Sequence, residues 1–185
     1  MKNVLVLYWS HDGHTARVAR TICETIRAEG HGAEMMNVIE ADREGVDLSA
    51  YDIVVMGAAI RYGHFSKSFI KFADKNADVL NAKPNSFFNL TLIARKPEKA
   101  TLEGNVYARK FVENSRWKPQ EVKCIAGKVD YPNWSYFDAV QIQLIMSMTK
   151  GPTDRSVVCD YTDWEDVKAY ARHILTLDEK KKTAS

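Results

Sequence analysis

Four short, almost uninterrupted apolar runs punctuate the chain: NVLVLYW (3–9), YDIVVMGAA (51–59), NSFFNLTLIA (85–94) and EVKCIAGKV (121–129). A strand with one face in water alternates apolar and polar residues. Runs that do not alternate belong to a sheet covered on both faces, the usual setting of parallel strands. A weaker fifth run, GAEMMNVI (32–39), lies between the first two.

The segments between the runs carry helical periodicity. In 15–29, Val18, Ala19, Ile22, Cys23 and Ile26 share one face and Gly30 supplies a stop. Phe69, Phe72, Ala73 and Leu80 do the same in 66–80, and a third helix is expected over 104–115. The last, 163–177, opens on TDWE, read as a capping box of Thr162 with Glu165, with Trp164, Val167, Ala171, Ile174 and Leu175 on one face. Strands alternating with helices define an α/β fold, a doubly wound five-stranded parallel sheet of order 2-1-3-4-5. With neither an internal repeat nor a Gly/Ser linker, residues 1–177 are expected to form one domain and 178–185 a solvated tail.

One stretch exceeds that minimal plan, an insert of about residues 130–152 between the fifth strand and the last helix. It is expected to hold a helix over 138–150, stopped by Gly151 and Pro152. Val140, Leu144, Ile145 and Met148 form its apolar stripe, widened by Ala139, Ile142 and Met146. Tyr131, Trp134, Tyr136 and Phe137 precede it. The stripe fits either core packing or contact with a membrane surface or a quinone tail.

In a doubly wound sheet, ligands bind beyond the carboxyl ends of the strands, where the strand order reverses. The first such turn reads SHDGHT (10–15). It is neither a Walker loop nor G-x-G-x-x-G. It offers the hydroxyls of Ser10 and Thr15, a close backbone approach at Gly13, and the free N–H groups of a helix start. That set suits a phosphate monoester. Asp12 is read as a brace that bonds a local backbone N–H, and His11 and His14 as solvent-facing loop residues rather than metal ligands. The second turn, GAAIRYGHF (57–65), offers Gly57, Gly63 and the flat ring of Tyr62, and the third lies around NLTLIARKPEK (89–99). Three strand ends, a phosphate site and an aromatic platform suit flavin mononucleotide (FMN).

These residues also carry a family likeness. SHDGHT resembles the flavodoxin phosphate loop T/S-x-T-G-x-T, with Asp12 where that pattern usually has threonine. YWSHDGHT, GAAIRYGHF, LIARKPEK, YARKF and YTDW, in this order along almost the whole chain, resemble the menaquinone-dependent protoporphyrinogen dehydrogenases of bacterial haem biosynthesis. The resemblance implies a flavodoxin-like FMN enzyme that oxidises protoporphyrinogen IX and passes electrons to a quinone, with no catalytic side chain beyond the flavin. It implies a cofactor held by Ser10, His11, Asp12, Gly13, His14 and Thr15, by Ala59, Ile60, Arg61, Tyr62 and Gly63, and by Asn89, Leu90, Thr91 and Leu92. Arg61, Arg95 and Lys96 become candidates for the substrate's propionates, because a guanidinium grips a carboxylate with two bonds.

Composition narrows the alternatives. A formal net charge of +2 is too small to argue for nucleic acid, and it disfavours an acidic shuttle that docks on basic partners. A receiver-type signalling module would need clustered acids at strand carboxyl ends, whereas Asp52 sits at the opposite end of its strand. Cys23, Cys124 and Cys159 are widely spaced and read as small buried hydrophobes in a reducing compartment. The first apolar run is too short for a signal peptide or a membrane span. The expectation is a cytoplasmic protein, peripheral on the inner face of the membrane, and the sequence carries no signal for an oligomeric state.

Overall fold

The computed structural model describes residues 1–133, 136–148 and 151–178. Five parallel strands form the main sheet: β1 (Asn3–Trp9), β2 (Gly32–Asn37), β3 (Ile53–Ala59), β4 (Asn85–Thr91) and β5 (Glu121–Ala126), in the order β2-β1-β3-β4-β5. The strand order is the one expected. β1 pairs with β2 on one side and β3 on the other, and it places Trp9 beside Ala58 at the carboxyl edge.

Alternation along β1 sends successive side chains to opposite faces. Val4 and Val6 pack against α1 (His14–Ala28) and α7 (Trp164–Ile174), through Val18, Ile22, Ile26, Val167 and Ile174. Leu5 and Leu7 point the other way, into a layer built by α2 (Val38–Glu44), α3 (Lys67–Lys75), α4 (Ala77–Ala82) and α5 (Val106–Asn114). Phe65, Phe69, Phe87, Phe111 and Trp117 form its centre, with neighbouring ring centroids 5.0–6.2 Å apart. Such tilted and edge-on pairs gain attraction beyond simple burial.

Several elements depart from the expected boundaries, each for a local reason. The run 32–39 ends as a strand at Asn37, whose side chain accepts the Ile39 N–H at 2.9 Å and caps the short α2. The segment 66–80 divides at Asn76, whose amide bonds the Phe72 carbonyl at 2.9 Å and separates α3 from α4. After Thr91 the chain tightens into a single turn over Leu92–Arg95 instead of extending the strand. At the last helix, Asp163 accepts from the N–H groups of Glu165 and Asp166, so the predicted Thr162 cap is replaced by its neighbour.

The run 121–129 also breaks, at Gly127. Beyond it β6 (Lys128–Asp130) leaves the main sheet and pairs antiparallel with β7 (Val158–Asp160). This ribbon carries the insert. Its helix α6 covers Tyr136–Met148, two residues earlier than expected at its start, while residues 149 and 150 lie outside the described residues. The buried side of α6 is formed by Ala139, Ile142 and Met146, packed on Val129 and Tyr131. Val140 and Leu144 of the expected stripe are 39% and 63% exposed. The tail residues 179–185 lie outside the described residues.

At the amino edge of the sheet, fully buried Asn85 uses its whole amide. It donates to the carbonyls of Leu80 and Lys83 and accepts from Trp117 Nε1 at 3.0 Å and from the Gln120 N–H at 3.1 Å. Replacing it with leucine strands two donors and two acceptors. Asn85→Leu is expected to destabilise the protein by about 2–4 kcal/mol, read as a lower denaturant midpoint with unchanged slope.

Candidate functional site

The carboxyl ends of β1, β3 and β4 and the start of the insert enclose a cavity of about 240 Å³. Its first wall is the turn after β1. Gly13 adopts φ +80°, the left-handed region that L side chains avoid, and α1 begins directly after it. No side chain caps this helix end, so its first N–H groups stay available. Ser10 Oγ beside it is buried and has no hydrogen-bond partner. Thr15, 2% exposed, lines the same wall. An orphaned buried hydroxyl next to an uncapped helix start is a site prepared for an anion acceptor such as a phosphate.

The second wall is a tight turn. Arg61 and His64 exchange backbone hydrogen bonds at 3.0 and 3.1 Å, with Tyr62 at φ +50° and Gly63 at φ +79° between them. Positive φ at both central residues is the type I′ geometry. It accounts for the positive φ of Gly63, which also lines the cavity, and it holds the half-exposed Tyr62 ring at the cavity mouth. Arg61 reaches across to Asp12, with Nη1 at 3.1 and 3.3 Å from the two carboxylate oxygens. Asp12 therefore ties the first turn to the second, instead of bracing its own turn. Ala59 and Ile60, with Leu90, Thr91 and Leu92 from β4 and its exit, form the apolar interior.

Three expected residues lie elsewhere. Asn89 is buried in the sheet, donating to Cys124 Sγ at 3.1 Å. Arg95 turns toward the insert, bonding the Leu92 carbonyl at 3.0 Å with its guanidinium 5.9 Å from the Tyr161 ring centre. Lys96 is exposed and does not line the cavity. Conversely, Trp9, Ile93, Tyr107, Gly127 and Lys128 line it without having been expected there, and so does Ile142 of the insert's apolar stripe. Ile142 comes from the insert and Lys128 from β6, which leads into it after the break at Gly127. The Lys128 Nζ lies 2.7 Å from Asp130.

His14 also departs from expectation. Its side chain is 14% exposed, within 2.8 Å of Thr162 Oγ1 and 3.6 Å of Asp160 Oδ1, with the Trp164 ring edge-on at 5.7 Å. Burial pushes its pKa below the ordinary histidine value, against the opposing pull of Asp160. His11 is the outer of the two, half-exposed and stacked on Trp9 at 6.3 Å.

A doubly wound sheet of this order, with an anion-ready turn after its first strand, defines a flavodoxin-type α/β protein. The family model described as flavodoxin domain matches residues 5–156. Over 176 residues the chain is 41% identical to protoporphyrinogen IX dehydrogenase (quinone) of Escherichia coli strain K12, covering 95% of this chain and 96% of that one. It is 40% identical over 174 residues to the Leishmania major protein of the same name, covering 94% and 74%. The crystal structure of oxidised flavodoxin 2 from Bacillus cereus shares the fold, with a TM-score of 0.57 at 18% identity over 94% of this chain and 97% of that one. The chain belongs to the flavodoxin domain family and, within it, to the family of the protoporphyrinogen IX dehydrogenases.

The lowered pKa of His14 has a consequence for stability. The unfolded chain binds this proton more readily than the folded one, so the contribution of neutral His14 is full above about pH 6.5 and is lost as pH falls through its lower folded value. Relative to His14→Gln, the ligand-free protein is expected to lose stability between about pH 7.5 and 5.5. Urea midpoints of both proteins across that range check it.

Proposed function

We propose that this chain binds FMN in the cavity, oxidises protoporphyrinogen IX to protoporphyrin IX and passes the electrons to menaquinone, a step of haem biosynthesis. The observation that carries the reading is the prepared anion site, Ser10 Oγ without a partner beside the uncapped start of α1, in the wall of a cavity lined by Ile60, Leu90 and Leu92. The substrate and acceptor class rest on the near full-length identity to relatives named protoporphyrinogen IX dehydrogenase (quinone).

When bound, the flavin would supply the two-electron redox chemistry. The chain's own residues position and shield. Ser10, Thr15 and the first N–H groups of α1 hold the phosphate, with Gly13 letting it approach. Ile60, Leu90 and Leu92 line an apolar slot that excludes water from the ring, and Tyr62 offers an aromatic face at its mouth. His11, Asp12, Ala59, Arg61, Gly63 and Thr91 complete the walls.

Arg61 is the proposed partner of a substrate propionate. It lies at the mouth, already oriented by Asp12, and an incoming carboxylate can share its guanidinium. Lys128 adds a second cation to the same cavity. Arg95 and Lys96, which do not line the cavity, are not assigned that role. Among the described residues no helix is long and apolar enough to cross a membrane. Val140 and Leu144, exposed on α6, support the further proposal that the insert rests on the cytoplasmic membrane surface, where a lipid-soluble quinone is met.

The flavin-loaded protein, mixed anaerobically with protoporphyrinogen IX and a menaquinone analogue, is expected to generate porphyrin fluorescence. Loaded protein that forms no porphyrin under those conditions would overturn the substrate assignment. With flavin kept saturating, Arg61→Ala is expected to raise the porphyrinogen KM by about tenfold, while Arg95→Ala leaves KM near the unmodified value. Steady-state kinetics of the two variants separates them.

A further inference from the structure

A dianion in the turn 10–15 meets neither lysine nor arginine within the turn itself. The cation of Arg61 is engaged with Asp12 at 3.1 Å. His14, the first residue of α1, is the buried titratable group of this wall, and its hydrogen bonding is unusually constrained.

The Thr162 hydroxyl donates to the Ala126 carbonyl at 2.8 Å, so its oxygen has only acceptor capacity left for the 2.8 Å contact with His14 Nε2. The network therefore assigns Nε2–H as the proton of neutral His14 and leaves Nδ1 as its basic nitrogen. Adding a proton at Nδ1 breaks no existing bond. Nε2–H stays on Thr162, and Asp160 Oδ1 stands 3.6 Å from the same nitrogen to favour the charged ring. Asp160 is in turn fixed by the Thr162 N–H at 3.0 Å, by Trp164 Nε1 at 3.3 Å and by Arg17 at 3.5 Å.

The groups facing His14 are opposed in sign. Asp160 on β7 favours its cation, while Arg17 on its own helix, Lys128 on β6 and above all burial disfavour it. Asp12 and His11 lie farther out in the turn, about half-exposed. A phosphate monoester at the helix start adds close to two negative charges to this balance.

We propose that His14 takes up a proton when a phosphate monoester enters the turn, and that its imidazolium supplies the cation that the turn otherwise lacks. The inference rests on the reading that FMN binds here. It makes cofactor capture proton-linked through a residue that the return strand β7 and its exit hold in place: Asp160 ends β7 and Thr162 follows it.

The test is calorimetric titration of the full, flavin-free chain at about pH 7.5, in two buffers of different ionisation enthalpy, with FMN and with riboflavin. The expected result is uptake of a measurable fraction of a proton per FMN and none with riboflavin, which has no phosphate. His14→Gln keeps an N–H for Thr162 but cannot be charged. It is expected to bind FMN about tenfold more weakly and without uptake. Uptake that is absent in the unmodified protein, or that persists in His14→Gln, overturns the inference.

Should His14→Gln fail to fold, the His14 ring resonance of the unmodified protein decides. Its titration midpoint is expected to rise by about one pH unit or more on FMN binding, and an unchanged or lower midpoint overturns the proposal. FMN that binds without uptake removes this inference alone. Failure of both FMN and riboflavin to bind removes the flavin reading with it.

Discussion

Both faces of the five-stranded sheet are covered by side chains, Val4 and Val6 on one side and Leu5 and Leu7 on the other, and this leaves the strand ends for ligands. The order β2-β1-β3-β4-β5 reverses direction between β1 and β3, so their exit turns diverge to opposite faces and a crevice opens between them. The cavity follows from that topology. Its chemistry follows from the three exits: an uncapped helix start after β1, a type I′ turn after β3, and a short apolar turn after β4. Moving β1 by one residue would send Val6 to the wrong face and displace the turn 10–15 together with it.

The insert is part of the same arrangement. By leaving the sheet at Gly127, the chain carries Lys128 to the cavity wall and builds the β6–β7 ribbon that brings Asp160 and Thr162 against His14. Arg17 and Trp164 close this cluster, with the guanidinium 4.3 Å from the ring centre. The turn after β1 is thus held from two sides, by Arg61 through Asp12 and by the ribbon through His14. Neither tie places a permanent cation in the turn itself. That distinguishes it from triphosphate loops, which depend on a lysine.

Much of this was legible in the sequence because it is local. Continuous apolar runs marked the central strands, and Ser10, Gly13 and Thr15 marked the turn by their chemistry. The short α2 was missed because Asn37, read as strand, is a helix cap, and α3 and α4 merged because one apolar face runs through both. What the sequence did not disclose depends on distant partners. The Arg61–Asp12 pair joins residues 49 positions apart, and the His14–Thr162 bond spans 148. Lys128 read as the end of a strand, and only the break at Gly127 turns it into the site. Arg95 looked like a ligand-facing cation on its loop, yet Tyr161 after β7 supplies a ring and the turn a carbonyl that draw it away.

The central claim is that residues 10–15 hold a flavin phosphate at the start of α1. Diffraction from crystals soaked with FMN tests it most directly. The account predicts the phosphate between Ser10 Oγ, Thr15 and the first N–H groups of α1, with the ring in the slot lined by Ile60, Leu90 and Leu92. A phosphate bound away from that turn, or a ring outside the slot, would contradict it.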